Sequence, residues 1–116
     1  SKRHDSGYVI SAKLPNDRRQ DVYVEKFKRK DGTELIRVFT YCGAFDPERS
    51  LWALRANMQM AQGALAVVEH EGEQQFVLTN CFIADEAGLG EFKAAVKEIA
   101  FYGDYVEKQL NEVDEL

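Results

Sequence analysis

Little in this sequence is suited to metal or covalent chemistry. It has two histidines, His4 and His70, and neither belongs to a His-Glu-x-x-His spacing. With no Cys-x-x-Cys pair either, no zinc motif is present and no cofactor is assigned. The two cysteines, Cys42 and Cys81, are too few for a disulfide-stapled scaffold. Each lies in an apolar stretch and is expected to be a buried free thiol in a reducing compartment, with a bridge between them left open. No apolar run approaches the roughly 20 residues that cross a bilayer, and residues 1–6 are polar throughout, unlike a signal peptide. Basic charge is also short: 15 Lys and Arg against 20 Asp and Glu give a net charge of −5. An acidic surface repels phosphate backbones, which excludes general nucleic-acid binding. The expectation is a cytoplasmic protein with no nucleic-acid and no membrane partner. The first six residues are expected to be disordered, and the opening without Met marks a possible piece of a longer protein.

The chain does have the makings of a core. Its 116 residues are the size of one domain, and 45% of them are hydrophobic. Residues 8–14 alternate apolar and polar positions as a strand does, and Pro15-Asn16-Asp17 ends them with turn chemistry. Residues 20–29 and 34–42 read as a hairpin around Asp31-Gly32, the pair that a two-residue type I′ turn prefers. That turn places Val24 opposite Phe39, Val22 opposite Tyr41, Phe27 opposite Ile36 and Glu25 opposite Val38. Both faces of the hairpin then carry apolar groups: one covers the core, and the other holds more apolar surface than a solvated face requires.

Asp46-Pro47 announces a helix, with an N-cap followed by a proline in the first turn. Leu51, Leu54, Met58 and Ala61 recur at helical spacing beside Trp52 and Arg55, and Gly63 is placed to end the helix. A second hairpin follows, 64–69 with 74–83, around Glu71-Gly72; it sets Leu65 opposite Leu78 and Val67 opposite Phe76. From Leu89 towards Glu112 the apolar positions Leu89, Phe92, Val96, Ile99, Val106, Leu110 and Val113 form one helical seam, with Gly103 in the missing place. A glycine there implies close approach of a backbone, either the sheet or another helix. The fold class is α+β, a single domain with an antiparallel sheet of about five strands and two helices in the order β-β-β-α-β-β-α.

Candidate chemistry is sparse. Cys42 precedes Gly43 at a strand end, but no motif joins it to a histidine, so packing is preferred to a nucleophile's role. Cys81 is expected in the core, and His70, at a tight turn, as a solvated side chain. The basic run Lys26 to Lys30 reads as strand-edge protection, with a docking patch for an acidic partner as the alternative. Gly88-Leu89-Gly90 lacks the longer glycine pattern and lysine of a phosphate loop.

The stretches Leu51 to Asn57, Gly63 to Val67 and Gln75 to Leu78 resemble the YbjN-like and type III secretion chaperone-like superfamily over about residues 20–110. The chain departs from that pattern in opening almost at a strand, without the leading helix. The resemblance implies a non-enzymatic, often homodimeric domain that holds another protein's segment against apolar sheet and helix surfaces. On that basis Tyr23, Phe27, Ile36 and Val38 are the candidate partner-binding residues and Trp52 belongs to a dimer interface or to the core; in a dimerisation module, Gly103 of the closing-helix seam is the candidate for close approach across a dimer interface. Leu51, Leu54 and Met58 are expected in the core, with a dimer surface as the alternative. The competing readings are a regulatory or dimerisation module of a larger protein, covered by the rest of its own chain, and a cysteine enzyme acting through Cys42.

Overall fold

The structure, a computed structural model, describes residues 2–4, 7–60, 63–86 and 88–114. Its strands are β1 (Lys2–His4), β2 (Gly7–Lys13), β3 (Arg19–Lys28), β4 (Glu34–Ala44), β5 (Ala64–His70) and β6 (Glu73–Ile83). Its α-helices are α1 (Ser50–Asn57) and α2 (Leu89–Asp114). The five long strands and two helices follow the expected order β-β-β-α-β-β-α. The three-residue β1, in a stretch the sequence places outside the fold, adds a short sixth strand beside β2. All pairings are antiparallel, in the sheet order β1-β2-β3-β4-β6-β5.

The second hairpin has the register its turn dictates. Glu71 and Gly72 both take positive φ, 52° and 82°, as a type I′ turn requires, and Leu65 faces Leu78 while Val67 faces Phe76.

The first hairpin corrects its prediction by one residue. Arg29 N–H donates to the Thr33 carbonyl, and Gly32 N–H to the Arg29 carbonyl, which leaves a three-residue loop, Lys30 to Gly32. Only Gly32 in this loop takes positive φ, 89°. Asp31 does not, because its carboxylate accepts the Thr33 N–H at 3.0 Å and turns the chain another way. The pairs are therefore Tyr23 with Phe39, Val24 with Val38, and Phe27 with Leu35. A slip of one residue moves a whole strand's side chains to the other face. It carries Val38 into the core, where it is 0% exposed, and removes it from the candidate partner surface. Ile36 lies on the same side, packed against that core, and leaves the partner surface with it.

One face of the sheet carries the helices. Val22, Val24, Val38, Leu65, Phe76 and Leu78 meet Val96, Ile99, Ala100, Val106 and Leu110 of α2 there. Each such buried Val, Leu, Ile or Phe side chain contributes about 1.5–3 kcal/mol relative to an exposed one. From Phe92 to Leu110 the α2 seam thus faces its own sheet, whereas Leu89 is 69% exposed and the side chain of Val113 lies outside the described residues. At Gly103 an added Cβ would stand 2.3 Å from Thr40 Cγ2 of β4. The glycine serves helix-to-sheet approach, which corrects its assignment to a dimer interface.

Helix α1 is shorter than predicted and turned about its axis. It ends at Asn57, whose amide is drawn to β5: Leu65 N–H donates to Asn57 Oδ1 at 2.7 Å, and Asn57 Nδ2 donates to the Leu65 carbonyl at 3.3 Å. Gly63, well past that end, takes its φ of 82° at the start of β5. Holding Asn57 at the sheet points Ala53 inward, with Trp52 and Ala56 against the core. Leu51, Leu54 and Met58 turn outward instead and are 58%, 66% and 89% exposed, contrary to their expected core place.

Candidate functional site

Among the described residues, no helix lies on the other sheet face. Alternation along the strands places Tyr23, Glu25 and Phe27 of β3 there, beside Leu35, Arg37, Phe39 and Tyr41 of β4. Val77, Thr79 and Cys81 of β6 continue it, followed by Ala66, Val68 and His70 of β5. This is the apolar surplus that the first hairpin's sequence announces.

Its centre is a group of rings. Tyr23 stacks on Phe39 with centroids 5.3 Å apart and planes at 17°. Tyr41 stands edge-on to both, at 5.1 Å from Tyr23 and 5.8 Å from Phe39. His70 tilts against Tyr41 at 4.5 Å, and its Nδ1 lies 3.1 Å from the Tyr41 hydroxyl. Such pairs contribute about 0.5–1.5 kcal/mol each beyond area burial. They fix the rings as one platform. At the platform's end the Arg37 guanidinium sits 4.3 Å from the Phe27 ring centroid and bonds Glu25 Oε1 at 2.7 Å. Between Arg37, Phe39, Tyr41, Ala66, Val68 and Val77 the face dips into a shallow concavity of about 470 Å³.

Burial, and behind it the carboxylates of Asp21 and Glu71, pushes the Tyr23 phenol above its ordinary range. Burial is also the main cause for Tyr41, followed by the charges of Tyr23, Glu25 and Glu71. Both hydroxyls are therefore neutral at physiological pH, able to donate and accept at the edge of an apolar platform. The arrangement has what a protein contact needs: fixed aromatic area, polar tips and one guanidinium.

Of the residues predicted from sequence, Tyr23 and Phe27 belong to this face; Ile36 and Val38 do not. Phe39, Tyr41, Arg37 and His70 were missed as site residues. Their signal is the aromatic alternation Phe39-Thr40-Tyr41, which gains meaning only with the correct register. His70 is not merely solvated at a turn; the β5–β6 pairing delivers it to Tyr41. Cys81 also faces this side, opposite Arg37, and is exposed where the sequence reading buries it. The basic run sits where β3 outruns β2: the pairing of those strands ends at Glu25, so Lys26 and Lys28 lie on a stretch paired with β4 alone. That is where edge-guarding lysines act.

Cys42 is buried, 1% exposed. Burial first, then the Glu107 carboxylate, pushes its thiol up to about 12. A thiol so placed yields no thiolate near neutral pH, which removes the nucleophile that a Cys42 mechanism requires. Among the described residues no cluster of His, Cys, Asp and Glu is arranged to hold a metal ion, and no helix is long and apolar enough to cross a membrane.

A second concavity, of about 500 Å³, opens between α1 and α2 and is lined by Trp52, Ala56, Met60, Tyr102, Tyr105 and Val106. Trp52 thus borders a groove within its own chain while also packing on the core. Comparisons with family models, with curated proteins and with solved structures find no match to this chain.

Proposed function

We propose that this domain is a non-enzymatic protein-binding domain that holds a partner segment on its open sheet face, in the manner of a chaperone. One observation carries the reading: the Tyr23–Phe39–Tyr41–His70 platform is rigidly assembled on a face that no element of the described chain covers. A sheet with large apolar side chains on both faces calls for a second layer, and a layer not supplied within a chain is supplied by another chain or by more of the same one. Fixed rings lose little conformational freedom on contact, which favours them as anchors. The acidic groups around the platform, Asp21, Glu25 and Glu71, favour a partner segment that joins apolar side chains to basic ones.

The test is affinity capture with the wild-type domain and with Phe27→Asp, which alters the platform's end without entering the core. A protein bound by the wild type and lost from Phe27→Asp, with the circular dichroism of the two unchanged, is the expected result. Equal capture by both, or no partner for either, would overturn the assignment of this face.

A further inference from the structure

Helices α1 and α2 lie on one sheet face and leave a groove between them. Helix α1 packs on β5, and α2 on β3, β4 and β6. The groove's volume, about 500 Å³, falls in the range of about 300–1,000 Å³ that small-molecule sites occupy. Its two walls follow the same spacing. Trp52, Arg55, Ala56 and Gln59 stand at i, i+3, i+4 and i+7 along α1 and the turn after it. Tyr102, Tyr105, Val106 and Gln109 repeat that spacing along α2. Each wall is therefore a single helical stripe. Ala56, packed against the core, and Val106, only 4% exposed, are the deepest of these groups. The rings stand nearer to solvent, and Phe101 braces Tyr102 edge-on at 5.3 Å.

The charge around this groove has one sign. The chain holds 20 Asp and Glu, yet none among the described residues lines it. The sheet-face concavity, by contrast, includes Glu25, and a third hollow beside Gln20 includes Asp21 and Glu107. Arg55 is the one charged residue lining the groove. The guanidinium groups of Arg18, Arg29 and Arg37 each hold a carboxylate. That of Arg55 has no hydrogen bond or ion pair among the described residues. The indole N–H of Trp52, one turn earlier on the same stripe, is also unbonded among them. A guanidinium and an N–H are donors only, and together they suit a carboxylate.

We propose that the groove binds a small planar aromatic carboxylate. Its ring system packs between Trp52 on one wall and Tyr102 and Tyr105 on the other, and its carboxylate accepts from Arg55. Three rings on two facing walls reward a flat π-system over an aliphatic one of equal area. Length argues the same way. Eight residues make α1 about 12 Å long, which spans two or three fused rings and is short for an extended acyl chain. The unpaired cation, in a hollow free of carboxylates, rewards an anion over a neutral molecule. The site lies on the helix side of the sheet, away from the Tyr23–Phe39–Tyr41–His70 platform, and does not rest on the sheet-face reading.

Trp52 is the chain's one tryptophan, so in a nitrogen-15-labelled domain its indole N–H is a single resonance reporting from inside the site. The probes are naphthoate, its neutral amide naphthamide, and cyclohexanecarboxylate, which keeps the charge and lacks the aromatic face. Naphthoate is expected to shift the Trp52 resonance saturably, with a Kd of about 1 mM or tighter, the scale a molecule of that size reaches. It should bind at least about tenfold more tightly than either other probe, the effect of one charge-assisted hydrogen bond or one set of ring contacts. Arg55→Gln, at an exposed position, should lower naphthoate to the affinity of naphthamide and leave naphthamide unchanged. Tyr105→Ala should weaken both aromatic probes, with the circular dichroism of each variant unchanged. A Trp52 resonance that no probe moves overturns the proposal and leaves the groove to a side chain of another protein. Equal affinities for the three probes overturn it as well, since the groove is then merely apolar. Naphthoate binding that Arg55→Gln does not weaken places the anion elsewhere and has the same consequence. Phe27→Asp is expected to bind naphthoate as the wild type does, so failure here is separable from failure of the sheet-face reading.

Discussion

At position 103 a single methyl group decides how closely α2 can sit on the sheet. In an open helix surface Gly→Ala gains about 1 kcal/mol through helix propensity. Here the new Cβ would fall 2.3 Å from Thr40 Cγ2, on a threonine that is itself 0% exposed. Thr40 has little room to yield: its hydroxyl donates to the Asp21 carbonyl at 2.7 Å and accepts from Gln20 Nε2 at 2.8 Å. Overpacking of this kind costs about 1–3 kcal/mol. Gly103→Ala is therefore expected to lose stability in urea denaturation. Thr40→Ser keeps the hydroxyl and deletes the obstructing methyl, so in that background Gly103→Ala should be neutral or gain up to about 1 kcal/mol. Equal losses in both backgrounds would show that Thr40 is not what the glycine accommodates. The same side-chain economy explains Cys42, which fills core space next to Thr40 and has no access to solvent.

Among the elements, the two hairpins show what sequence can and cannot specify. Glu71-Gly72 accepts positive φ at both positions, so turn and register follow directly from the residues. Asp31-Gly32 looks the same in sequence but folds as a three-residue loop, because the Asp31 carboxylate binds the Thr33 N–H. That bond, with the Thr33 side chain and Arg29 adding to it, also holds the Asp31 carboxyl below its ordinary range. One local bond thus decides which of two strand faces is core. Strand and helix existence, the order of elements and the apolar surplus on the first hairpin were all legible in alternation and turn chemistry. The identity of the exposed rings was not, since it depends on that register. The phase of α1 was not either, since it depends on Asn57 finding Leu65 across the chain. A pair of substitutions tests the register itself. Val38→Asp buries a charge without a partner and is expected to cost more than about 3 kcal/mol or to prevent folding. Phe27→Asp, on the open face beside Arg37, is expected to cost no more than about 1 kcal/mol. The two-residue turn would place both side chains on one face and make the two costs alike, so comparable denaturation midpoints would contradict the observed pairing.

On the scale of the whole molecule, one layer of helix serves a sheet that is apolar on both sides, and the uncovered side carries two tyrosines whose phenols titrate late. Both are raised, chiefly by burial and then by neighbouring negative charge. A phenol with a raised value binds its proton more tightly when folded than when unfolded. Its contribution is complete below the unfolded value of about 10 and is lost as pH rises through the folded value, because the unfolded state then releases protons the folded state retains. Stability is thus expected to fall with rising pH above about 10, and Tyr23→Phe with Tyr41→Phe should flatten that fall. The same double variant should remove the last phase of phenolate absorbance in an alkaline titration of the folded domain. Covering the platform would bury both phenols further and shift that phase to still higher pH, so the titration reports occupancy of the face directly. A partner that binds the domain and leaves the late phase where it was must sit somewhere other than on these rings.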